Sequence, residues 1–138
     1  MWVALFGTMH RCVWFGWQYS QNSYDKVNPL MIRLLYFSTA RASLTTSDVA
    51  DIVEFSQKNN AERDITGALA FNGRNFCQLL EGEETVVRDL VTAIEKDPRH
   101  SGFKIIDEKK VDGRYFADWS MLLVNELDFS KVINAMHA

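Results

Sequence analysis

Two apolar runs, Ile65 to Phe71 and Asn75 to Glu81, flank the dipeptide Asn72-Gly73. That dipeptide is the strongest short-range signal for a tight reversal, because both residues tolerate the positive φ such turns need. The two runs therefore read as an antiparallel pair. In the second, Phe76, Gln78 and Leu80 share one face while Cys77 and Leu79 share the other. Both faces are apolar, which predicts a central strand covered on both sides and a buried Gln78. A carboxamide has one acceptor and two donors, and leaving it unpaired in a core costs about 1–3 kcal/mol. Something polar must meet it, and what that is decides the function.

The flanking patterns supply a frame. Met31 to Ser38 reads as a strand with Ile32, Leu34 and Tyr36 on one face. Thr45 and Asp48 form a capping-box start, and Val49, Ile52, Val53 and Ser56 follow at helical spacing. The spacing predicts a helix to about Lys58, with Asn59-Asn60 at its C-terminal end. Gly82-Glu83-Glu84 opens a second helix, acidic in its first turn, whose stripe is Val86, Val87, Leu90, Val91 and Ile94. Pro98 marks its end. Phe103 to Val111 reads as a fourth strand, and Ala117 to Val124 as a fifth, with Trp119 and Met121 on one face. Leu127, Phe129, Val132, Ile133 and Met136 suffice for one short terminal helix.

The order β-α-β-β-α-β-β predicts an α+β, ferredoxin-like sandwich. Two helices cover one face of a mixed, mostly antiparallel five-stranded sheet, with a short C-terminal helix added. First and third strands are then central neighbours. Tyr36 and Gln78 can point together towards the helices, where phenol and carboxamide can bond, and a flat ligand fits the groove between the helices.

At 138 residues the chain is one domain's worth. Its net charge of -3, without a basic stripe, argues against a nucleic-acid partner. Cys12 and Cys77 make no secreted disulfide framework, so the expected setting is reducing and cytoplasmic. No apolar run approaches the roughly 18–20 residues of a membrane span. Residues 1–30 hold Trp2, Trp14 and Trp17 without a helical or strand period, and the break at Gly7 to Arg11 spoils a signal-peptide pattern. They are either an extension that packs its aromatics, or the product of an upstream start with Met31 as the biological one. The expected organisation is this segment, a domain over 31–124 and a tail over 125–138.

Several short motifs occur in one order: Leu35-Tyr36-Phe37-Ser38, Asn59-Asn60, Ile65-Thr66-Gly67-Ala68-Leu69, Phe76-Cys77-Gln78-Leu79-Leu80-Glu81-Gly82, Asp97-Pro98-Arg99-His100 and Trp119-Ser120-Met121. Together they resemble the BLUF family, domains that sense blue light using flavin. The resemblance implies FAD with its ring between the two helices, Asn60 holding the ring edge, Asn59 assisting, and Ile65 and Leu69 packing nearby. Gln78 would bridge Tyr36 to the flavin. Light would drive electron and then proton transfer from Tyr36, after which Gln78 rotates or tautomerises and absorption shifts to the red. Trp119 and Met121 would pass the change to the sheet. Arg63, Arg99 and His100 read as solvated loop charges that could touch the ribityl or phosphate chain.

Each residue also has a plainer reading: Tyr36, Trp119 and Met121 as core, Gln78 paired to backbone, Asn59-Asn60 as a helix cap. With no effector domain expected, signalling would pass to a downstream protein partner or through a homo-oligomer. Two rivals remain, a flavin-dependent redox enzyme on the same fold and a ferredoxin-like regulatory domain without flavin. The sequence has no paired carboxylates at a pocket-like spacing, no Cys-x-x-Cys, no Gly-rich phosphate loop and no Ser-His-Asp set. His10 and His137 lie in terminal segments, which argues against a metal site. The chain is expected not to be an enzyme.

Overall fold

A computed structural model describes residues 30–124 and 129–138. The elements are β1 (Met31–Ala40), α1 (Thr46–Glu62), β2 (Thr66–Phe71), β3 (Asn75–Glu83), α2 (Glu84–Glu95), β4 (His100–Val111), β5 (Leu122–Val124) and α3 (Ser130–Met136). The sheet order is β4-β1-β3-β2-β5. All pairings are antiparallel except β2 with β5. This is the expected ferredoxin-like arrangement, with β1 and β3 as inner neighbours.

Two cores form because the sheet is apolar on both faces. Ile32, Leu34, Tyr36, Leu69, Phe76 and Leu80 pack under Val49, Ile52 and Val53 of α1 and Val87, Leu90 and Ile94 of α2. On the reverse face Leu35, Ala68, Cys77 and Leu79 meet Phe116, Val124 and the α3 residues Val132, Ala135 and Met136. Burial pushes the Cys77 thiol up to about 12, so it acts as a small inert hydrophobe. Between β2 and β3 the approach is tight: a Cβ on Gly67 would sit 2.0 Å from the Leu79 carbonyl oxygen. The hairpin turn is sealed by Asn72, whose side-chain oxygen accepts from the Arg74 and Asn75 amides at 3.0 and 2.7 Å. Gly73 takes the positive φ of 94°.

The capping box forms as expected. Thr45 Oγ1 accepts from the Asp48 amide at 3.1 Å, and the Asp48 carboxylate accepts from the Thr45 amide at 2.9 Å. The bond from the Thr45 amide, helped by the Thr45 hydroxyl, holds the Asp48 carboxyl below its ordinary range. Thr45→Ala removes one cap acceptor and is expected to cost about 1 kcal/mol. That corresponds to roughly 4–8 °C in melting temperature for a domain of this size; a shift below a degree in a thermal melt would contradict it.

Several boundaries differ from the expectation. Helix α1 runs on to Glu62, so Asn59 and Asn60 lie inside its last turns and do not cap it. The cap is Arg63, and Asp64 takes the left-handed turn at φ 56°. Asn60 is drawn into the helix because its carboxamide finds a tertiary partner, which outweighs the turn preference of asparagine. Gly82 and Glu83 end β3 and do not begin α2, and β4 starts at His100, three residues before the expected start. The fifth strand is only Leu122–Val124, so Trp119 and Met121 precede it in irregular backbone and do not share a strand face. The Trp119 amide bonds back to Phe116 O at 2.9 Å, a turn that keeps 117–121 out of the sheet. The N-terminal residues 1–29, and Leu127 of the expected tail helix, lie outside the described residues.

Candidate functional site

Sheet register alone brings Tyr36 and Gln78 side by side. Tyr36 pairs with Gln78 across β1–β3, and Gln78 with Leu69 across β3–β2. Both side chains are buried on the helix-covered face, with Gln78 1% exposed. The Tyr36 hydroxyl donates a short hydrogen bond to Gln78 Oε1. At the other end of the carboxamide, Nε2 reaches only the Met121 sulfur, at 3.4 Å. A thioether is a weak acceptor, so one strong donor in this core is under-used.

Tyr36 is locked from its other side. The Phe103 ring lies 4.7 Å away, centroid to centroid, and tilted by 33°. Pairing between β1 and β4 shifts register between Leu35 and Tyr36 and again between Phe37 and Thr39, a bulged geometry that re-aims side chains at this point. Burial, with smaller contributions from Cys77 and Asp97, raises the Tyr36 phenol well above its ordinary value. A phenol so placed does not ionise on its own.

Helix α1 contributes the remaining polar groups. Ser56 and Asn60 are buried on the same stripe as Val49, Ile52 and Val53. Asn60 Nδ2 donates to Ser120 O at 3.1 Å, while neither Asn60 Oδ1 nor the Ser56 hydroxyl bonds another described residue. Asn59 is half-buried and donates to Phe55 O at 2.9 Å. Ile65 and Leu69 are fully buried in the core beside Tyr36. Met121 is buried, at 1% exposed, with its carbonyl accepting from Gln57 Nε2 at 2.9 Å. Trp119 is 49% exposed, so only its backbone, through a bond from Gly67 N to Trp119 O, joins the group.

The three basic residues differ from solvated loop charges. His100 is buried, its Nε2 donating to Ile94 O at 2.6 Å and its Nδ1 lying 2.7 Å from Ser38 Oγ. It caps the end of α2 because the last helical carbonyls need donors. Arg99 is chelated by Asp97, with Nη2 to Oδ2 at 2.8 Å. Burial alone would raise the Asp97 carboxyl, but the bonds from Arg99 outweigh it and leave it lowered. Arg63 donates to Asn59 O at 3.2 Å. The structure gathers Tyr36, Gln78, Asn60, Leu69 and Met121 into one group and leaves Arg63, Arg99 and His100 as helix-end and loop contacts.

Ser56 and Gln57 were absent from the sequence-derived site. Ser56 was visible as a polar break in an apolar stripe, whereas Gln57 gave no signal. A cleft of about 390 Å³ opens elsewhere, lined by Leu30, Met31, Asp64, Glu83, Val111, Asp112 and Arg114, and shares no residue with this group.

This fold and buried pair define a known class. The family model described as BLUF, sensors of blue-light using FAD, matches residues 31–122, and the chain belongs to that family. It is 38% identical over 71 residues to the blue light- and temperature-regulated antirepressor BluF of Escherichia coli (strain K12), covering 51% of this chain and 18% of that protein. Photoactivated adenylate cyclase subunit beta of Euglena longa is 30% identical over 94 residues, 67% of this chain and 11% of that one. The match thus spans less than a fifth of either curated relative. Among solved structures, BlrB, a BLUF protein in its dark state, aligns with a TM-score of 0.69 at 31% identity, covering 75% of this chain and 78% of that chain. BlsA in its photo-activated state gives 0.67 at 33%, covering 70% of each.

The residues present fit a flavin. Its polar ring edge offers donors and acceptors together, and the under-used Gln78 amide, Asn60 Oδ1 and the Ser56 hydroxyl supply the matching set beside apolar Ile65 and Leu69. No helix among the described residues is long and apolar enough to cross a membrane.

Proposed function

We propose that residues 31–124 form a non-enzymatic light-receptor domain in which Tyr36 and Gln78 are the photochemical pair and Asn60 holds the FAD ring edge. The observation that carries this reading is the buried Tyr36-to-Gln78 hydrogen bond with only a thioether at the other end of the carboxamide. When bound, FAD would supply the blue-light absorption and the electron acceptor. Tyr36 supplies the electron and passes its proton to Gln78, the acceptor already in place. Turning the carboxamide over, or moving its proton, exchanges donor and acceptor ends. Gln78 then no longer offers an N–H to the Met121 sulfur, and the Met121 side chain loses that contact. Asn60 and Gln57 hold the Ser120 and Met121 carbonyls from the helix side, so Met121 lies between α1 and Gln78.

Asn59, Arg63, Arg99 and His100 serve in this reading as helix-end and loop supports around the flavin, and Trp119 with Met121 as the exit. The receptor works in the cytoplasm, where the Cys77 thiol stays reduced, and signals to a partner protein or by rearranging a homo-oligomer. The redox-enzyme alternative needs an acid–base group beside the flavin; His100 is occupied at both ring nitrogens.

Asn60→Ala tests the cofactor half of the proposal. Loss of one buried hydrogen-bonding group costs about 1–3 kcal/mol, so FAD should bind about 5- to 150-fold more weakly in a titration. Unchanged affinity would contradict the assignment. Bleaching of the flavin by NADH in the dark would favour the redox enzyme.

A further inference from the structure

A second buried polar centre lies on the reverse face of the sheet. Glu81 is 0% exposed and stands three residues along β3 from Gln78, about 10 Å at strand spacing. It sits in register with Arg33 on β1 and Thr66 on β2. Oε2 accepts from Arg33 Nε at 3.1 Å and from the Tyr115 amide at 2.9 Å. Oε1 accepts from Thr66 Oγ1 at 3.1 Å and from the Phe116 amide at 2.6 Å. Such saturation is what a buried carboxylate needs.

Arg33 extends the centre. Its Nη1 donates to the main-chain oxygens of Ala135 and Ala138, both at 3.1 Å, and Nη2 donates to Gly113 O at 3.4 Å. One guanidinium therefore touches Glu81, the start of segment 113–121 and the last turn of α3. Arg114 secures the same start, donating to Thr66 Oγ1 at 2.9 Å and Glu81 O at 3.2 Å.

The far end of segment 113–121 is held by Asn60, Gln57 and Gln78. The segment thus joins the two faces, and β3 grips it at both ends. It is anchored to Glu81 at Tyr115 and Phe116, and Glu81 bonds Arg33, which reaches α3.

We propose that Glu81, acting with Arg33, is a positioning residue for the light response, anchoring segment 113–121 so that rearrangement at Gln78 reaches α3. This rests on the photochemical reading above. The test uses the full chain loaded with FAD, Glu81→Gln, and the pair Arg33→Met/Glu81→Leu, since apolar replacement of a buried ion pair often preserves stability. Light-minus-dark hydrogen exchange at α3, the red shift and the dark-recovery rate are recorded.

Both variants should keep the red shift, because Tyr36 and Gln78 are untouched. The light-dependent exchange difference at α3 should vanish, and recovery should change by about fivefold or more, the lower end of ordinary coupling between sites. Without FAD, the Tyr115 and Phe116 amides should exchange about tenfold faster in Glu81→Gln, as expected when a charged acceptor is lost. A purely structural role would lower the melting temperature of Glu81→Gln yet leave the double variant with the wild-type α3 difference and recovery rate; that result overturns the proposal. A wild-type protein with no red shift overturns the photochemical reading and this inference with it.

Discussion

Gln78→Leu is expected to abolish the light-induced red shift while the protein still folds and still holds FAD. Leucine nearly fills the carboxamide's volume, but it gives the Tyr36 hydroxyl no acceptor and Met121 no donor. Tyr36→Phe should reach the same loss by a different route, because it removes the proposed proton and electron donor while leaving Gln78 in place. The two single variants also differ from their combination in stability. Each leaves one buried polar group without its partner, at about 1–3 kcal/mol. Replacing both partners by apolar groups is close to neutral, so Tyr36→Phe/Gln78→Leu should recover much of the loss. Difference spectra under blue light and urea denaturation read the two effects separately. A reversible shift surviving in Gln78→Leu would remove Gln78 from the mechanism.

Arg33→Met is expected to be the most destabilising single change on the reverse face. The Arg33–Glu81 pair has side-chain exposures of 6% and 0%, so water cannot compensate a lost partner. Removing one member of a buried ion pair costs about 3–5 kcal/mol, a large part of the 5–15 kcal/mol that keeps a domain folded. Arg33 also donates to the main-chain oxygens of Gly113, Ala135 and Ala138, which would lose that bond, though Ala138 O keeps Lys109 Nζ at 3.0 Å. Chemical denaturation of the two single variants and the Arg33→Met/Glu81→Leu pair completes a double-mutant cycle. A strongly favourable coupling is expected, with the pair more stable than either single variant. Additive losses would show that the two groups act independently.

Much of the architecture was legible because hydrophobic period and turn chemistry agreed. Asn72-Gly73 set the β2–β3 pairing, the Thr45/Asp48 box set the start of α1, and the stripe from Val86 to Ile94 set α2. The Tyr36–Gln78 contact followed from strand order alone, since alternation fixes which face each residue takes. What the sequence did not yield were features decided by tertiary partners. Asn60 stays helical because Ser120 O receives its amide, although Asn-Asn reads locally as a helix end. His100 reads as a loop charge, yet Ser38 and Ile94 O are there to receive it.

The segment before β5 shows the same limit more strongly. Ala117 to Met121 has strand-like composition, but its backbone bonds go to Gly67, Asn60 and Gln57 instead of a full ladder. Neither Glu81 nor Arg33 has a partner assignable from the sequence. Only when β1, β2 and segment 113–121 close over them does the pair become buried. No local pattern announces a contact made across 48 residues of sequence.

The most direct measurement is the absorption spectrum of the purified chain, reconstituted with FAD, before and after blue light. The account predicts a yellow protein whose flavin bands move to the red on illumination and return in the dark over repeated cycles. A chain that binds no FAD, or one whose flavin bleaches without a reversible shift, would contradict it.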